Sequence, residues 1–442
     1  MLRLLDLAQA GLLGVALVAS LGALLGVATG LVPGIHVNLF AALMLEALPF
    51  LTATGLLVPA SALLLAMGMA QTMVDIVPTL VLGAVDEDSS VSVLPGMDLV
   101  KRGFAMEAVR LWLRGCLAGL LLSLALMPLL LRVFPLLYGA VKPWTGWLLV
   151  MLLARMAFSS SWRRALANSA VIGLSGMLGV VAFTHPSLSE PVFPLMSGLF
   201  GCSGLVLALM PSADQPQNET MPQRRSQHLL PVLSLPAKTW GRAGCAATLG
   251  AALQVLLPGV GRSQSGALCL EGLDALAAAG RGGNGGRAQR SKGALSSSEG
   301  LLCLGMLSTM GGAASLAALL SFGKARDGAV VALSQMVKLD GSSLWLFLAV
   351  LLISAGLAAA LTIALARLCL PLLERRAGRG TRVLSLCSLM LVVGLVAWLS
   401  GAAGMLVLAA GTSLGVLCDS LHVRRRLLLA SLMIPVAAYW LL

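Results

Sequence analysis

Long apolar runs alternate with short polar segments along the whole chain. The stretch from Leu7 to Leu45 carries no Asp, Glu, Lys or Arg. A membrane-spanning helix needs about 20 apolar residues, so this stretch holds one span and much of another. Similar runs recur throughout, and we count about 10–14 hydrophobic segments. The pattern predicts an all-α polytopic membrane protein.

A break interrupts this first stretch at Gly30–Asn38, which reads Gly-Leu-Val-Pro-Gly-Ile-His-Val-Asn. Pro33 has no backbone N–H, and Gly34 permits backbone angles that other residues avoid. His36 and Asn38 place two polar side chains beside the break. The free N–H groups of a broken helix suit an anion. The segment is either a substrate-site hairpin near the membrane midplane or an ordinary turn at the membrane surface.

A second copy of the break lies in the other half of the chain, at Leu256–Gly266. Pro258-Gly259 follows Pro33-Gly34 at an offset of 225 positions, which is 258 minus 33. Paired interruptions at matching positions in two halves are the best sequence indication of a transporter site. The repetition favours the substrate-site interpretation, with a Pro-Gly broken or re-entrant helix in each half.

A polar segment separates the two halves. Residues 211–240 are rich in Pro, Gln, Ser and Arg and contain no run of spanning length. We predict an N-terminal transmembrane repeat over residues 1–210, this linker, and a C-terminal transmembrane repeat over residues 241–442. The order of segments indicates duplication, and inversion of one repeat is a further hypothesis. In the second half, 383–418 is uncharged and long enough for two tight spans, with a predicted break at Gly401.

Two groups of acids are candidates for ion coupling. Asp75 ends an apolar run, and an acid at membrane depth is a functional candidate by default. It could equally be a helix-end acid at the membrane interface. Asp86, Glu87 and Asp88 are consecutive carboxylates that could bind a cation or accept protons. Such a run is also typical of a solvated loop.

Composition supports the membrane assignment. The 442 residues are 58% hydrophobic and 11% charged, whereas soluble proteins carry about 25% charged residues. The formal net charge is +12, but Lys and Arg sit mostly in short loops, which indicates lipid headgroups rather than nucleic acid. The eight cysteines form no CxxC motif and are interpreted as core residues. We expect no metal site and no bound cofactor, in a multi-pass protein of the cell membrane.

Several motifs together resemble one family, the large permease of the tripartite tricarboxylate transporters, and in particular a branch that looks like a stand-alone version. They occur in the expected order in both halves of the chain: Pro33–Asn38, Pro78–Gly96, Gly198–Gly201, Leu257–Gln264, Gly323–Ala329 and the basic cluster after His422. The resemblance implies a secondary transporter with duplicated halves, each contributing a Pro-Gly loop to one central anion site.

Carried over to this sequence, the resemblance implies a substrate site formed by Pro33, Gly34, His36, Asn38, Pro258, Gly259, Gly261, Arg262, Ser263 and Gln264. It gives no role to Asp75, Asp86 or Asp88. It also implies partners: a periplasmic binding protein that delivers citrate-like anions and a small membrane subunit. Membrane lipids and a second copy of the chain are further expected partners.

Arg262 departs from the commoner family pattern, in which a small residue or proline is expected. Its guanidinium could pair bidentately with a carboxylate or a phosphate, or it could be an arginine at a loop end. His36 could titrate or bind the substrate, and a packing histidine is the alternative.

Three functions follow from these patterns. The first is uptake of a small organic anion of the tricarboxylate type, driven by H+ or Na+. The second is transport of a polyprenyl-phosphate lipid carrier, because a basic surplus and Arg262 suit phosphate as well. The third is a membrane polyprenyl-pyrophosphate phosphatase, since Pro258–Gly266 loosely resembles a loop of those enzymes. Such an enzyme needs partnered glutamates, and Glu46 and Glu271 have no second glutamate one turn away. We therefore expect that the protein is not an enzyme.

Overall fold

The fold is built from helices alone in the part of the chain that the structure describes. The structure is a computed structural model, and it describes residues 11–32, 36–82, 96, 99–100, 103–158, 161–188, 191–210, 235–279, 297–375 and 379–442. This agrees with the predicted all-α class.

We number the α-helices in chain order. In the first half they are α1 (Gly11–Gly30), α2 (Val37–Glu46), α3 (Leu48–Thr54), α4 (Leu57–Val74), α5 (Ile76–Leu82), α6 (Ala105–Val141), α7 (Thr145–Ala157), α8 (Trp162–Thr184), α9 (Val192–Met196) and α10 (Ser203–Leu209), with a π-helical turn at Ser197–Cys202. In the second half they are α11 (Ala237–Leu256), α12 (Arg262–Ala279), α13 (Ser297–Phe322), α14 (Gly328–Met336), α15 (Gly341–Arg375), α16 (Arg379–Ser420) and α17 (Ala430–Leu441).

Eight segments of the described chain are long and apolar enough to cross a membrane, or nine if the bent pair α2–α3 counts as one span. The helices of that pair meet at 67°. The protein is therefore a multi-pass membrane protein, as its sequence predicts. The number is below the 10–14 hydrophobic segments because several apolar runs form short helices, and because α6 and α7 merge into one apolar stretch, Ala105–Ala157.

Close helix crossings occur at glycines. A Cβ at Gly119 of α6 would overlap the backbone carbonyl of Met306 on α13, and one at Gly115 would lie 2.6 Å from the carbonyl oxygen of Leu302. On α1, a Cβ at Gly22 would lie 2.5 Å from the carbonyl oxygen of Leu63 on α4. Small residues let helix backbones approach where no hydrophobic force drives helices together in lipid. Glycine thus fixes which helices pair.

Buried side chains form two large cores. The first core includes buried residues of α1, α2, α4–α6, α11–α13, α14 and α15. The second core joins α7–α9, the π-helical turn, α16 and α17. Leu257 and Val260, in the loop between α11 and α12, belong to the second core. That loop therefore lies where the two cores meet.

Helices of the two halves pack against each other in a reciprocal way. Helix α6 of the first half packs on α13 of the second, and α15 of the second half packs on α4 of the first. Likewise, α8 packs on α17, while α16 packs on α10. Reciprocal contacts of this kind are expected between two repeated halves. The division at 211–240 stays a prediction, since 211–234 lie outside the described residues.

Asp340 forms an N-terminal cap on α15. Its Oδ1 accepts hydrogen bonds at 2.8 Å from the backbone N–H of Ser343 and from the hydroxyls of Ser342 and Ser343. The backbone hydrogen bond of Ser343, followed by those two hydroxyls, lowers the pKa of Asp340 from 3.8 to about 2. The carboxylate form is therefore the one that the folded state favours.

We expect Asp340→Ala to lower the free energy of unfolding by about 1 kcal/mol at pH 7, because an N-cap is lost. A depressed pKa in the folded state gives stability that is complete above the ordinary pKa. It is lost as the pH falls from about 4 to about 2. The difference in Tm between wild type and variant should therefore shrink over that range. Asp340→Asn, which keeps the cap without the charge, should stay close to wild type at pH 7 and lose this pH dependence.

Candidate functional site

A cavity of about 570 Å3 lies between the two cores. The first core contributes residues from α2, α4, α5, α11 and α14, and the second contributes residues from α9, the π-helical turn and α17. Its polar lining residues are His36, Asn38, Gln71, Asp75, Thr79, Ser197, Gln254, Arg262, Arg326, Asp327 and Gln335. Both predicted breaks reach this cavity.

At the first break, α1 ends at Gly30 and α2 begins at Val37. His36 is the N-cap of α2, and its Nδ1 accepts a hydrogen bond of 3.3 Å from the backbone N–H of Asn38. Both side chains line the cavity. Pro33 and Gly34 lie outside the described residues.

At the second break, α11 ends at Leu256 and α12 begins at Arg262. Pro258, Gly259, Gly261 and Arg262 all line the cavity. Gly259 has a φ of +82°, which favours glycine, and a Cβ there would lie 3.3 Å from the Cα of Met433 on α17. The loop thus turns sharply against the second core.

A third chain segment reaches the same place, at residues 323–327 between α13 and α14. The Ser315 hydroxyl accepts hydrogen bonds from the backbone N–H groups of Arg326 (2.9 Å) and Asp327 (3.0 Å). The Asp327 carboxylate caps α14 by accepting a hydrogen bond of 3.1 Å from the N–H of Ala329. These contacts hold one positively charged residue, Arg326, and one negatively charged residue, Asp327, at the cavity wall.

The two charges make long-range contacts. Arg326 donates from Nε to the carbonyl oxygen of Val255, near the end of α11, at 3.2 Å. Asp327 forms an ion pair with Arg262, whose nearest nitrogen lies 3.9 Å from its Oδ2. The side chains of Arg262 and Asp327 are 17% and 26% exposed. The pair is therefore largely shielded from solvent yet too long for a hydrogen bond.

Asp75 lies between α4 and α5, within the candidate span Leu57–Leu80, and lines the cavity. Gln71, one turn earlier on α4, lines it as well. On the opposite wall, Ser197 and Gly201 belong to the π-helical turn. Turns of this type inside helices occur frequently at functional sites.

The remaining predicted residues lie elsewhere. Gln264 is 2% exposed and is not among the lining residues; its amide donates to the carbonyl oxygen of Arg426 at 2.9 Å. The side chain of Ser263, and all of Asp86 and Asp88, lie outside the described part of the chain. Among the described residues, no group of three or more His, Cys, Asp or Glu could hold a metal ion.

The sequence interpretation missed several cavity residues, among them Gln254, Arg326 and Asp327. Arg326-Asp327-Gly328 is a charged insertion between two apolar helices. Charged residues between apolar helices are candidates for a functional site, and this pattern could have identified Arg326 and Asp327. Nothing in the sequence indicated that this loop meets the two Pro-Gly breaks.

The glutamates that a phosphatase would use are also placed away from the cavity. Neither Glu46 nor Glu271 is among its lining residues. Glu271 pairs with Arg155 at 2.8 Å in an exposed ion pair.

Comparisons with known proteins identify the family of the chain. The model of the tripartite tricarboxylate transporter TctA family matches residues 16–430, nearly the whole chain. An uncharacterized protein of Methanocaldococcus jannaschii is 28% identical over 194 residues, which cover 42% of this chain and 46% of the relative. The chain thus matches about half the length of that relative. No solved structure matches significantly. The chain belongs to the tripartite tricarboxylate transporter TctA family and is a multi-pass membrane protein.

Proposed function

We propose that the cavity binds a citrate-like anion and that the protein carries this anion across the membrane together with H+ or Na+. The observation that carries the proposal is the meeting of three helix N-termini at one cavity. Val37 begins α2, Arg262 begins α12 and Gly328 begins α14. The cavity is lined by the residues at all three starts: His36, Asn38, Arg262, Asp327 and Gly328.

Helix N-termini attract anions for two reasons. Their first N–H groups have no partner inside the helix, and the helix dipole places a partial positive charge there. Asn38 and Ala329 already donate their N–H groups to His36 and Asp327. The other first-turn N–H groups of the three ends would supply donors from several directions, which suits an anion with several carboxylate groups better than one with a single charge.

The arginines add full charges to these partial ones. Arg262 can present two parallel N–H donors to a carboxylate. Its present ion pair with Asp327 is 3.9 Å long, so an incoming carboxylate could form shorter, charge-assisted hydrogen bonds in its place. Arg326 already donates one N–H to Val255, which orients its guanidinium at the same wall. His36 and Asn38 would complete the polar contacts.

The position of the cavity suits alternating access. Secondary transporters expose a central site to each side in turn by moving one helix bundle against another. The cavity has walls from both cores, with Met196 and Leu432 on the side of the second core. A movement of the second core relative to the first would therefore open and close it.

The family also suggests partners, which we include in the proposal. A binding protein would deliver the anion, and a small membrane subunit would assist. Membrane lipids would surround the apolar outer surface.

The test is ligand-induced thermal stabilisation of the purified protein. We expect citrate to raise Tm with the logarithm of its concentration above Kd, with about 2.7 kcal/mol of added stability at 100 times Kd. Acetate at equal ionic strength is the control, since it carries one carboxylate. A polyprenyl phosphate is tested alongside. A shift with the lipid alone would replace the citrate proposal by lipid-carrier transport, and no shift with any ligand would contradict an anion site.

A further inference from the structure

A second, smaller cavity of about 60 Å3 adjoins the first. The two share His36, Gln71, Asp75, Arg262 and Asp327 in their linings. The small cavity extends away from the anion cavity, between α4, α6 and α13. Its further polar lining residues are Thr72, Trp112, Ser308 and Thr309. Its volume is enough for an ion and a few waters, but not for an organic anion.

Each of the three hydroxyl groups that line this cavity donates its hydrogen bond to a backbone carbonyl oxygen. Thr72 donates to the carbonyl oxygen of Gly68 at 2.9 Å, and Ser308 donates to that of Leu304 at 2.8 Å. Thr309 donates to the carbonyl oxygen of Cys116, on α6, at 2.7 Å. A hydroxyl has one proton and two lone pairs, so each of these oxygens can only accept within the cavity. These oxygens therefore suit a ligand that donates hydrogen bonds or carries a positive charge.

The charged residues of the small cavity also favour a cation. Asp75 and Asp327 contribute two carboxylates, and Arg262 contributes one guanidinium. Carboxylates therefore outnumber guanidinium groups among the described residues that line the small cavity, which favours a cation over an anion.

Trp112 gives an independent sign of an occupant. It is 5% exposed and lines the small cavity. Its indole Nε1 is buried and has no hydrogen-bond partner among the described residues. An unsatisfied buried N–H is costly, and the indole can only donate. A water held in the cavity by a cation would accept this hydrogen bond with its free lone pair.

We propose that the small cavity binds one Na+ ion. Its ligands would be drawn from the carboxylates of Asp75 and Asp327 and the hydroxyl oxygens of Thr72, Ser308 and Thr309. Hard cations prefer such oxygen ligands.

The ion would also couple to the larger cavity, a consequence that rests on the proposed anion site. Asp327 pairs with Arg262, which lines both cavities. A cation beside Asp327 weakens that pair and leaves Arg262 for the carboxylate of the anion. Coupling between two sites is reciprocal, so Na+ raises the affinity for the anion and the anion raises the affinity for Na+.

The test measures Na+ binding without any organic anion. The full-length protein is purified in choline chloride, and Tm is followed as NaCl or KCl replaces choline at constant ionic strength. Binding of radioactive 22Na+ is measured in parallel. We expect a rise in Tm with Na+ that K+ does not reproduce, and saturable 22Na+ binding.

Two substitutions locate the ion. Thr72→Val and Ser308→Ala each remove one acceptor oxygen, and each hydroxyl is bonded only to its own helix, so the fold should persist. We expect each to raise the half-saturating Na+ concentration about fivefold. Thr248→Val and Ser123→Ala are matched controls. Their hydroxyls make the same bond four residues back, to Gly244 and Gly119, and neither residue lines the large or the small cavity.

The outcomes separate this site from the anion site. If Na+ acts no differently from K+ and choline on the wild type, there is no Na+ site, while citrate binding in choline would preserve the anion proposal. If Na+ binds but Thr72→Val and Ser308→Ala behave like their controls, the ion is not in this cavity. Na+ binding that shifts with these variants, in a protein that binds no citrate, would support the cation site and overturn the anion site.

Discussion

Arg262→Ala will lower the affinity for citrate about 100-fold, so that citrate no longer raises Tm at concentrations that saturate the wild type. Arg262 begins α12 and has a side chain that is 17% exposed. Truncating one partner of a shielded, hydrogen-bonded charge pair costs about 2–5 kcal/mol. The substitution also leaves Asp327 without this counter-charge, which adds repulsion toward an incoming carboxylate.

Two further variants define the cause of this loss. Arg262→Lys keeps the charge but loses the planar pair of donors, and we expect an intermediate loss of about tenfold. Arg155→Ala removes an arginine whose ion pair with Glu271 is 63% and 47% exposed and lies outside the cavity. It should bind citrate like the wild type. Normal citrate binding by Arg262→Ala would place the anion elsewhere.

The features of the fold that were predicted correctly from the sequence are those that depend on local sequence patterns. Apolar runs predicted the spanning helices, and Pro258-Gly259 marked the end of α11 in the described structure. Gly401 was predicted as a break in a long uncharged stretch; the structure confirms it, with non-helical angles (φ 57°, ψ −154°) inside α16. Hydropathy and backbone restriction act over one or two helical turns, so a sequence alone reveals them.

The site itself depends on contacts that the sequence does not show. Arg262 and Asp327 are 65 positions apart (327 against 262), and Asp75 lies between two helices of the other half. Their meeting follows from helix crossings at small residues, such as Gly119 against Met306. Arg326 likewise contacts Val255, which lies 71 positions away in the sequence. Local pattern identified polar candidates, but only the packing of helices selects which of them share a cavity.

Gly328→Ala will lower citrate affinity about 30-fold while leaving the fold nearly intact. Gly328 is the first residue of α14, and a Cβ there would overlap the Asn38 side chain, approaching its Cγ to 2.8 Å. The Asn38 amide is the end of a flexible side chain, so it can rotate away at little cost in stability. Its Oδ1 is buried without a hydrogen-bond partner among the described residues.

The substitution therefore lowers the affinity for citrate rather than the stability of the fold. Displacing Asn38 removes a polar contact to the anion, and the added methyl group crowds the N-terminus of α14. A hydrogen bond to a charged ligand is worth about 1.5–3 kcal/mol and a helix end about 0.3–1 kcal/mol, which together give the expected loss.

Thermal unfolding and citrate titration of the same samples separate the two effects of this substitution. Gly356→Ala on α15 is the matched control, because a Cβ there meets nothing within 4 Å. Alanine is favoured over glycine inside a helix, so this control should be as stable as the wild type or slightly more so, with unchanged citrate affinity. If Gly328→Ala lowered Tm strongly without citrate, the contact with Asn38 would be structural. If it changed neither Tm nor affinity, Asn38 and the start of α14 would have no part in binding, and the case for three helix ends around one anion would fail.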